Sequence, residues 1–183
     1  RVVQPLTGDW THLVTGRFYT AEAADLLLYH RATGEMELHT IDAGGQISLL
    51  RRGALKRGYS HLVPGNFLGP DYQSDLFCYD AEYGVGDFYR IDEEGEPELI
   101  AIQRAPRGCA KVVPGRFLVG SGLRTDLLFY DIFDAMGRTR IEYYQTEGAR
   151  LTRRATTTTG IPFAHTVLPG RFDPAGSPDR HDL

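Results

Sequence analysis

Apolar and polar positions along this chain fall into four kinds of short run that return in the same order. The first is a compact phrase ending in a glycine and a phenylalanine: His12-Leu13-Val14-Thr15-Gly16-Arg17-Phe18, then His61 to Phe67, Lys111 to Phe117 and Thr166 to Phe172. The second is almost wholly apolar: Asp25-Leu26-Leu27-Leu28-Tyr29, Asp75-Leu76-Phe77-Cys78-Tyr79 and Asp126-Leu127-Leu128-Phe129-Tyr130. Runs this short, bounded by turn residues, predict strands buried on both faces. The third alternates, as in Glu35-Met36-Glu37-Leu38-His39-Thr40-Ile41, Asp87 to Ile91 and Arg140 to Tyr144, and predicts strands with one wetter face. The fourth follows an acidic or glycine turn, at Gln46 to Leu50, Glu98 to Ile102 and Ala149 to Arg153.

The glycines Gly16, Gly65, Gly115 and Gly170 are 49, 50 and 55 residues apart. A period near fifty, with four short strands per unit and hydrophobicity falling from the first two to the last, predicts an all-β fold: a β-propeller of four-stranded antiparallel blades. The outer edge of each blade would meet solvent and carry Arg51, Arg52, Arg153 and Arg154, charges that discourage edge-to-edge pairing. No sustained 3.6-residue period is present, so almost no helix is expected. Residues 1–183 read as a single repeat domain, with units near 11–58, 59–108 and 109–162 and an incomplete one at 163–183. Arg1 to Leu6 falls where an outermost strand would precede the first unit. The expectation is three complete blades with partial blades at both ends. Propellers have roughly four to eight blades, so further blades or a partner chain would complete the ring.

The order G-x-F, loop, D-L-x-x-Y resembles the FG-GAP/VCBS repeat family, the blades of integrin-α-type propellers, of many secreted bacterial proteins and of some lectins. The resemblance spans essentially the whole chain. It implies a secreted, extracellular binding scaffold. In that family the loop after the first strand often holds calcium, in the pattern G-D-F-N-G-D-G-x-x-D-L. Here the first ligand position has become Arg17, Asn66, Arg116 and Arg171, while the closing Asp25, Asp75, Asp126 and Asp182 remain. Calcium takes roughly six to eight oxygens, and a guanidinium at the first of them repels the ion, so no metal and no cofactor is expected. Two roles are open for the closing aspartate. It can hold the arginine in a bidentate pair, Arg17 with Asp25 and Arg116 with Asp126. Alternatively, it caps backbone N–H groups of its own turn.

Composition acts mainly by exclusion. A net charge of −4 with both signs interspersed argues against a nucleic-acid surface. No apolar run approaches the ~20 residues of a membrane helix, so no membrane insertion is expected. Cys78 and Cys109 sit at non-equivalent places in their units and read as buried thiols rather than a disulfide framework. His12 and His61 are repeat-equivalent, which points to a hydrogen bond with a neighbouring unit rather than zinc ligation. There is no nucleophile elbow, H-E-x-x-H or phosphate loop. Asp80, Glu82, Asp131 and Asp134 could pair as glycosidase acids, but surface turns are routinely acidic, and the chain reads as non-catalytic.

Binding is the better expectation. On one end face of a propeller, the loops into the first strand and those between the second and third strands gather. That face would carry Trp10 and Tyr59, with His30, Arg31, Asp80, Tyr83, Asp131 and Arg138. Aromatic rings beside Asp and Arg suit a sugar, the ring stacking on a pyranose while charged groups bond its hydroxyls. Trp10 and Tyr59, with Cys109 at the third equivalent place, equally suit packing between blades. The reading is a lectin-like carbohydrate-binding module. The alternatives are a protein-binding or adhesion module and an accessory domain of a secreted hydrolase.

Overall fold

The structure, a computed structural model, describes residues 7–19, 23–69, 73–118, 124–133 and 138–159. Twelve strands form three four-stranded antiparallel sheets, each in chain order. Sheet 1 contains β1 (His12–Gly16), β2 (Asp25–Tyr29), β3 (Glu35–Ile41) and β4 (Ile47–Ala54). Sheet 2 contains β5 (His61–Gly65), β6 (Asp75–Asp80), β7 (Val85–Ile91) and β8 (Pro97–Arg104). Sheet 3 contains β9 (Lys111–Gly115), β10 (Asp126–Phe133), β11 (Thr139–Glu147) and β12 (Arg150–Thr159). No helix occurs among the described residues, and none there is long and apolar enough to cross a membrane. The first strands neighbour one another, β1 beside β5 and β5 beside β9.

The all-apolar runs are buried on both faces because the sheets stack on one another. Side chains alternate across a strand, so β6 in the middle sheet serves two interfaces. Leu27 and Tyr29 pack with Leu76 and Cys78 between sheets 1 and 2. Phe77 and Tyr79 pack with Leu127 and Phe129 between sheets 2 and 3. Leu128 and Tyr130 belong to a third cluster, with Val113, Phe117, Ile141 and Tyr143.

The recurring Gly-x-Phe has a steric cause. In each unit the phenylalanine ring folds back over the glycine two residues earlier. A Cβ at Gly16, Gly65 or Gly115 would lie 2.7, 2.6 or 2.4 Å from the rings of Phe18, Phe67 and Phe117, so no larger residue fits. The closing aspartate then fastens the loop by capping. Asp75 Oδ2 accepts from the Phe67 and Leu68 N–H groups, Asp126 Oδ2 from Phe117 and Leu118, and Asp25 Oδ2 from Tyr19. Capping is thus present at all three aspartates. The Arg17–Asp25 pair does not form, since the second oxygen, Asp25 Oδ1, is buried without a hydrogen-bond partner. The Arg17 position instead serves the next sheet through its backbone. Its N–H donates to Ser74 Oγ and its carbonyl accepts from Ser74 N, as Asn66 does with Thr125.

Two side chains repeat as ties between sheets. The Tyr29 hydroxyl donates to the Lys56 carbonyl and accepts from Tyr59 N–H, while Tyr79 does the same with Pro106 and Cys109. His12 Nε2 bonds the Ser60 carbonyl at 3.0 Å and His61 Nε2 the Ala110 carbonyl at 2.8 Å, the inter-unit role expected for these histidines. Burial pushes the His61 imidazole below its ordinary pKa, because charge is costly there. Its contribution to stability is thus present above about pH 6.5 and lost as pH falls, since the unfolded chain takes up the proton first. His61→Gln is expected to flatten the acid limb of a urea-midpoint-versus-pH curve and to cost about 1 kcal/mol near neutrality. An unchanged acid limb would show that another group governs it.

Candidate functional site

The strand ends place the anticipated site residues at one end of each sheet. His12 pairs with Tyr29 and His61 with Tyr79, so Trp10 and Tyr59, just before β1 and β5, lie beside the turns that follow β2 and β6. Those turns are tight. Gly34 and Gly84 adopt φ of +83° and +65°, and a Cβ at Gly34 would meet the Leu55 carbonyl at 2.4 Å. Only glycine lets the incoming linker approach so closely.

The gathered residues do different things. Trp10 is half-buried, its indole N–H donating to the Thr7 carbonyl at 3.2 Å. His30 Nδ1 bonds Thr33 Oγ1 at 2.8 Å within the β2–β3 turn. Arg31 reaches the linker, where Nε donates to the Gly58 carbonyl at 3.1 Å. Tyr83 is 61% exposed at the tip of the next turn. Asp80, expected to face a ligand, is 3% exposed, and its Oδ1 accepts from Glu82 and Tyr83 N–H, so it builds the turn. Asp131, expected in a turn, lies within β10, and its side chain is outside the described residues, as is Asp134.

Tyr59 departs most from the expected binding face. It is wholly buried between sheets 1 and 2 and presents no ring to solvent. Its hydroxyl donates to Asp87 Oδ2 at 2.5 Å and lies 2.9 Å from the Tyr89 hydroxyl. Lys56 Nζ sits 3.7 Å from the same carboxylate oxygen. Packing between units is thus the role observed for Tyr59 and, at the third equivalent place, for buried Cys109, whose thiol donates to the Tyr130 carbonyl.

Trp10 instead borders an open pocket of about 480 Å³, lined also by Glu35, Met36, Glu37, Arg52 and Gly53. The alternation of β3 puts Glu35, Glu37 and His39 on one face. Glu37 is the centre of its charge network. Arg52 Nε donates to Oε1 at 2.9 Å, and His39 Nε2 lies 2.9 Å from Oε2. Glu35 Oε2 accepts from the Thr33 hydroxyl at the rim. Only Trp10 of this set was anticipated from sequence, although the period-two spacing Glu35-x-Glu37-x-His39 already marked a polar face. The register discloses a further pattern: Glu37 opposite Leu28, Asp87 opposite Cys78 and Glu142 opposite Phe129, one acid at the same place in every sheet. Glu142 is met by the Tyr144 hydroxyl and by ion pairs with Arg140 and Arg153.

Among the described residues no three His, Cys, Asp or Glu side chains converge as a metal site. No protein-family model matches the chain, and a comparison with curated proteins likewise finds no match.

Proposed function

We propose that the chain is part of a secreted β-propeller acting as a non-catalytic, lectin-like carbohydrate-binding module, with the Trp10 pocket as its sugar site. The side-by-side first strands and face-to-face sheets support the propeller reading, as does the FG-GAP/VCBS-like repeat. The observation that carries the ligand class is a half-buried indole on a pocket otherwise rich in hydrogen-bonding charge: two carboxylates and a guanidinium. Its volume falls within the roughly 300–1,000 Å³ of small-molecule sites. The indole offers a flat apolar surface to the C–H face of a pyranose. Carboxylates accept from sugar hydroxyls, and Arg52 donates to them.

A glycan array probed with and without EDTA tests this. Selective, EDTA-insensitive binding is expected, with Trp10→Ala weakening it by roughly tenfold or more. A blank array with folded protein favours the second reading, a protein-binding or adhesion module. One observation points to a surface for it. The outermost strand β8 exposes Leu99, Ile100 and Ile102 at 46%, 40% and 59%.

A further inference from the structure

The outermost strands of the three sheets share one irregularity of register, which aligns them residue by residue. Across it β4 runs Leu49-Leu50-Arg51-Arg52, β8 runs Leu99-Ile100-Ala101-Ile102 and β12 runs Arg153-Arg154-Ala155-Thr156. Arg51 and Arg52 are exposed on β4, as are Arg153 and Arg154 on β12. Charges of this kind keep a free sheet edge from pairing with another chain. The equivalent stretch of β8 has none and exposes Leu99, Ile100 and Ile102 instead. Sheet 2 is also the middle sheet, with described strands packed on both of its faces, so only the outer edge of β8 is without a neighbour among the described residues.

The two ends of the β7–β8 ladder define which main-chain groups that edge presents. Asp92 N–H donates to the Glu96 carbonyl and Ala105 N–H to the Gly84 carbonyl, so Glu96 and Ala105 both turn toward β7. Main-chain direction alternates along a strand. Counted from Glu96, Pro97 and Leu99 point outward; counted from Ala105, Arg104 and Ile102 do. The extra residue between Leu99 and Ala101 reconciles the two counts.

We propose that β8 pairs antiparallel with β8 of a second copy of this chain, about a two-fold axis between Ile100 and Ala101. Leu99 of each copy then stands opposite Ile102 of the other, Glu98 opposite Gln103, and Pro97 opposite Arg104. Outward groups meet outward groups. Leu99 and Ile102 exchange both main-chain bonds, while Arg104 N–H finds the carbonyl of Pro97, which has no N–H of its own to satisfy. No like charges face each other. Leu99 and Ile102 lie opposite Tyr89 and Asp87 on one face of sheet 2, so the two apolar pairs form a continuous strip across the axis. A contact in which residue i meets j and j meets i is what a two-fold interface requires. The proposal does not depend on the carbohydrate-binding reading, and it assigns to a second copy the surface that the protein-binding reading uses.

Sedimentation velocity of the full chain from about 1 to 200 μM is expected to show monomer passing to dimer, half-converted on the order of 10 μM, because a strand-sized contact is small among specific interfaces. Ile102→Lys, at an exposed position, should weaken association roughly tenfold or more. Should circular dichroism show that variant misfolded, Leu99→Lys makes the same comparison. Oxidative cross-linking reads the register. An equimolar mixture of Leu99→Cys and Ile102→Cys proteins should form a disulfide-linked dimer, since opposed Cα atoms lie about 5.5 Å apart, within disulfide reach. Either variant alone should not, because its own counterpart lies three positions along the strand, roughly 10 Å away. The native Cys78 and Cys109 are buried and do not compete. A monomer at every concentration, an association that Ile102→Lys leaves unchanged, or cross-linking no greater in the mixture than in the single variants would each overturn the proposal, whatever a glycan array shows.

Discussion

Gly86→Ala is expected to lower folding stability by about 3 kcal/mol, at the upper end of overpacking costs in well-filled interiors. Gly86 lies in β7, opposite Tyr79, and a Cβ there would stand 2.2 Å from two ring atoms of Phe77. The ring has nowhere to go. Phe77 is fully buried, with ring centroids of Phe88, Phe67 and Phe129 at 4.9, 6.2 and 6.2 Å. Interiors pack as densely as organic crystals, so the added methyl must displace an aromatic cluster that joins sheets 2 and 3. Phe77→Leu alone is expected to cost roughly 1–2 kcal/mol through lost burial and a partial cavity. Because its smaller side chain makes room for the methyl, the double variant should lose less than the sum, by about 1 kcal/mol or more. Urea unfolding of the four proteins measures this. Strict additivity would mean that the ring relaxes elsewhere and the cluster is looser than its geometry implies.

Much of this fold was legible because the repeated residues each answer a local steric or hydrogen-bonding demand. Gly65 and Phe67 recur as a pair because one ring needs the other's missing side chain. Asp75 recurs because two backbone N–H groups need an acceptor. Where the demand is non-local, the sequence was less informative. The fourth strand of sheet 1 read as ending at Leu50, yet β4 runs to Ala54, with Arg51 opposite Leu38 and Arg52 opposite Glu37. Charged residues at a solvent edge do not interrupt a ladder, so polarity alone cannot mark where such a strand stops. Equivalent register irregularities at Leu38/His39, Phe88/Tyr89 and Tyr143/Tyr144 were likewise invisible in composition, because a bulge depends on the partner strand.

The candidate site shows the same division. Trp10 and Tyr59 are indistinguishable by position, and both are aromatic. One borders a pocket and the other is fully enclosed, because sheet 1 packs over Tyr59, whereas among the described residues no sheet packs over Trp10. Burial of one member of an equivalent pair is a property of its neighbours. The contact between Glu37 and Arg52 needed the β3–β4 register, which no spacing in the chain states. Asp80 was misplaced for the opposite reason. An aspartate opening a turn serves its own N–H groups first, and that local use withdraws it from a ligand.

Tyr59→Phe should cost roughly 2–4 kcal/mol, since it strips the hydroxyl donor from a carboxylate that is only 1% exposed. Burial first, and the bond to Asp87 second, push the Tyr59 hydroxyl far above the ordinary tyrosine range, so it remains a neutral donor. Asp87 Oδ1 has no partner, and without Tyr59 the buried charge would face Lys56 at 3.7 Å with little else to solvate it. The remedy is to remove the charge as well. Tyr59→Phe combined with Asp87→Leu replaces both partners by apolar groups and should recover most of the loss, while Lys56, half-exposed, turns to solvent. Thermal and urea unfolding would measure the cycle, and a double variant no more stable than Tyr59→Phe would show that the hydroxyl matters for packing rather than for solvating Asp87.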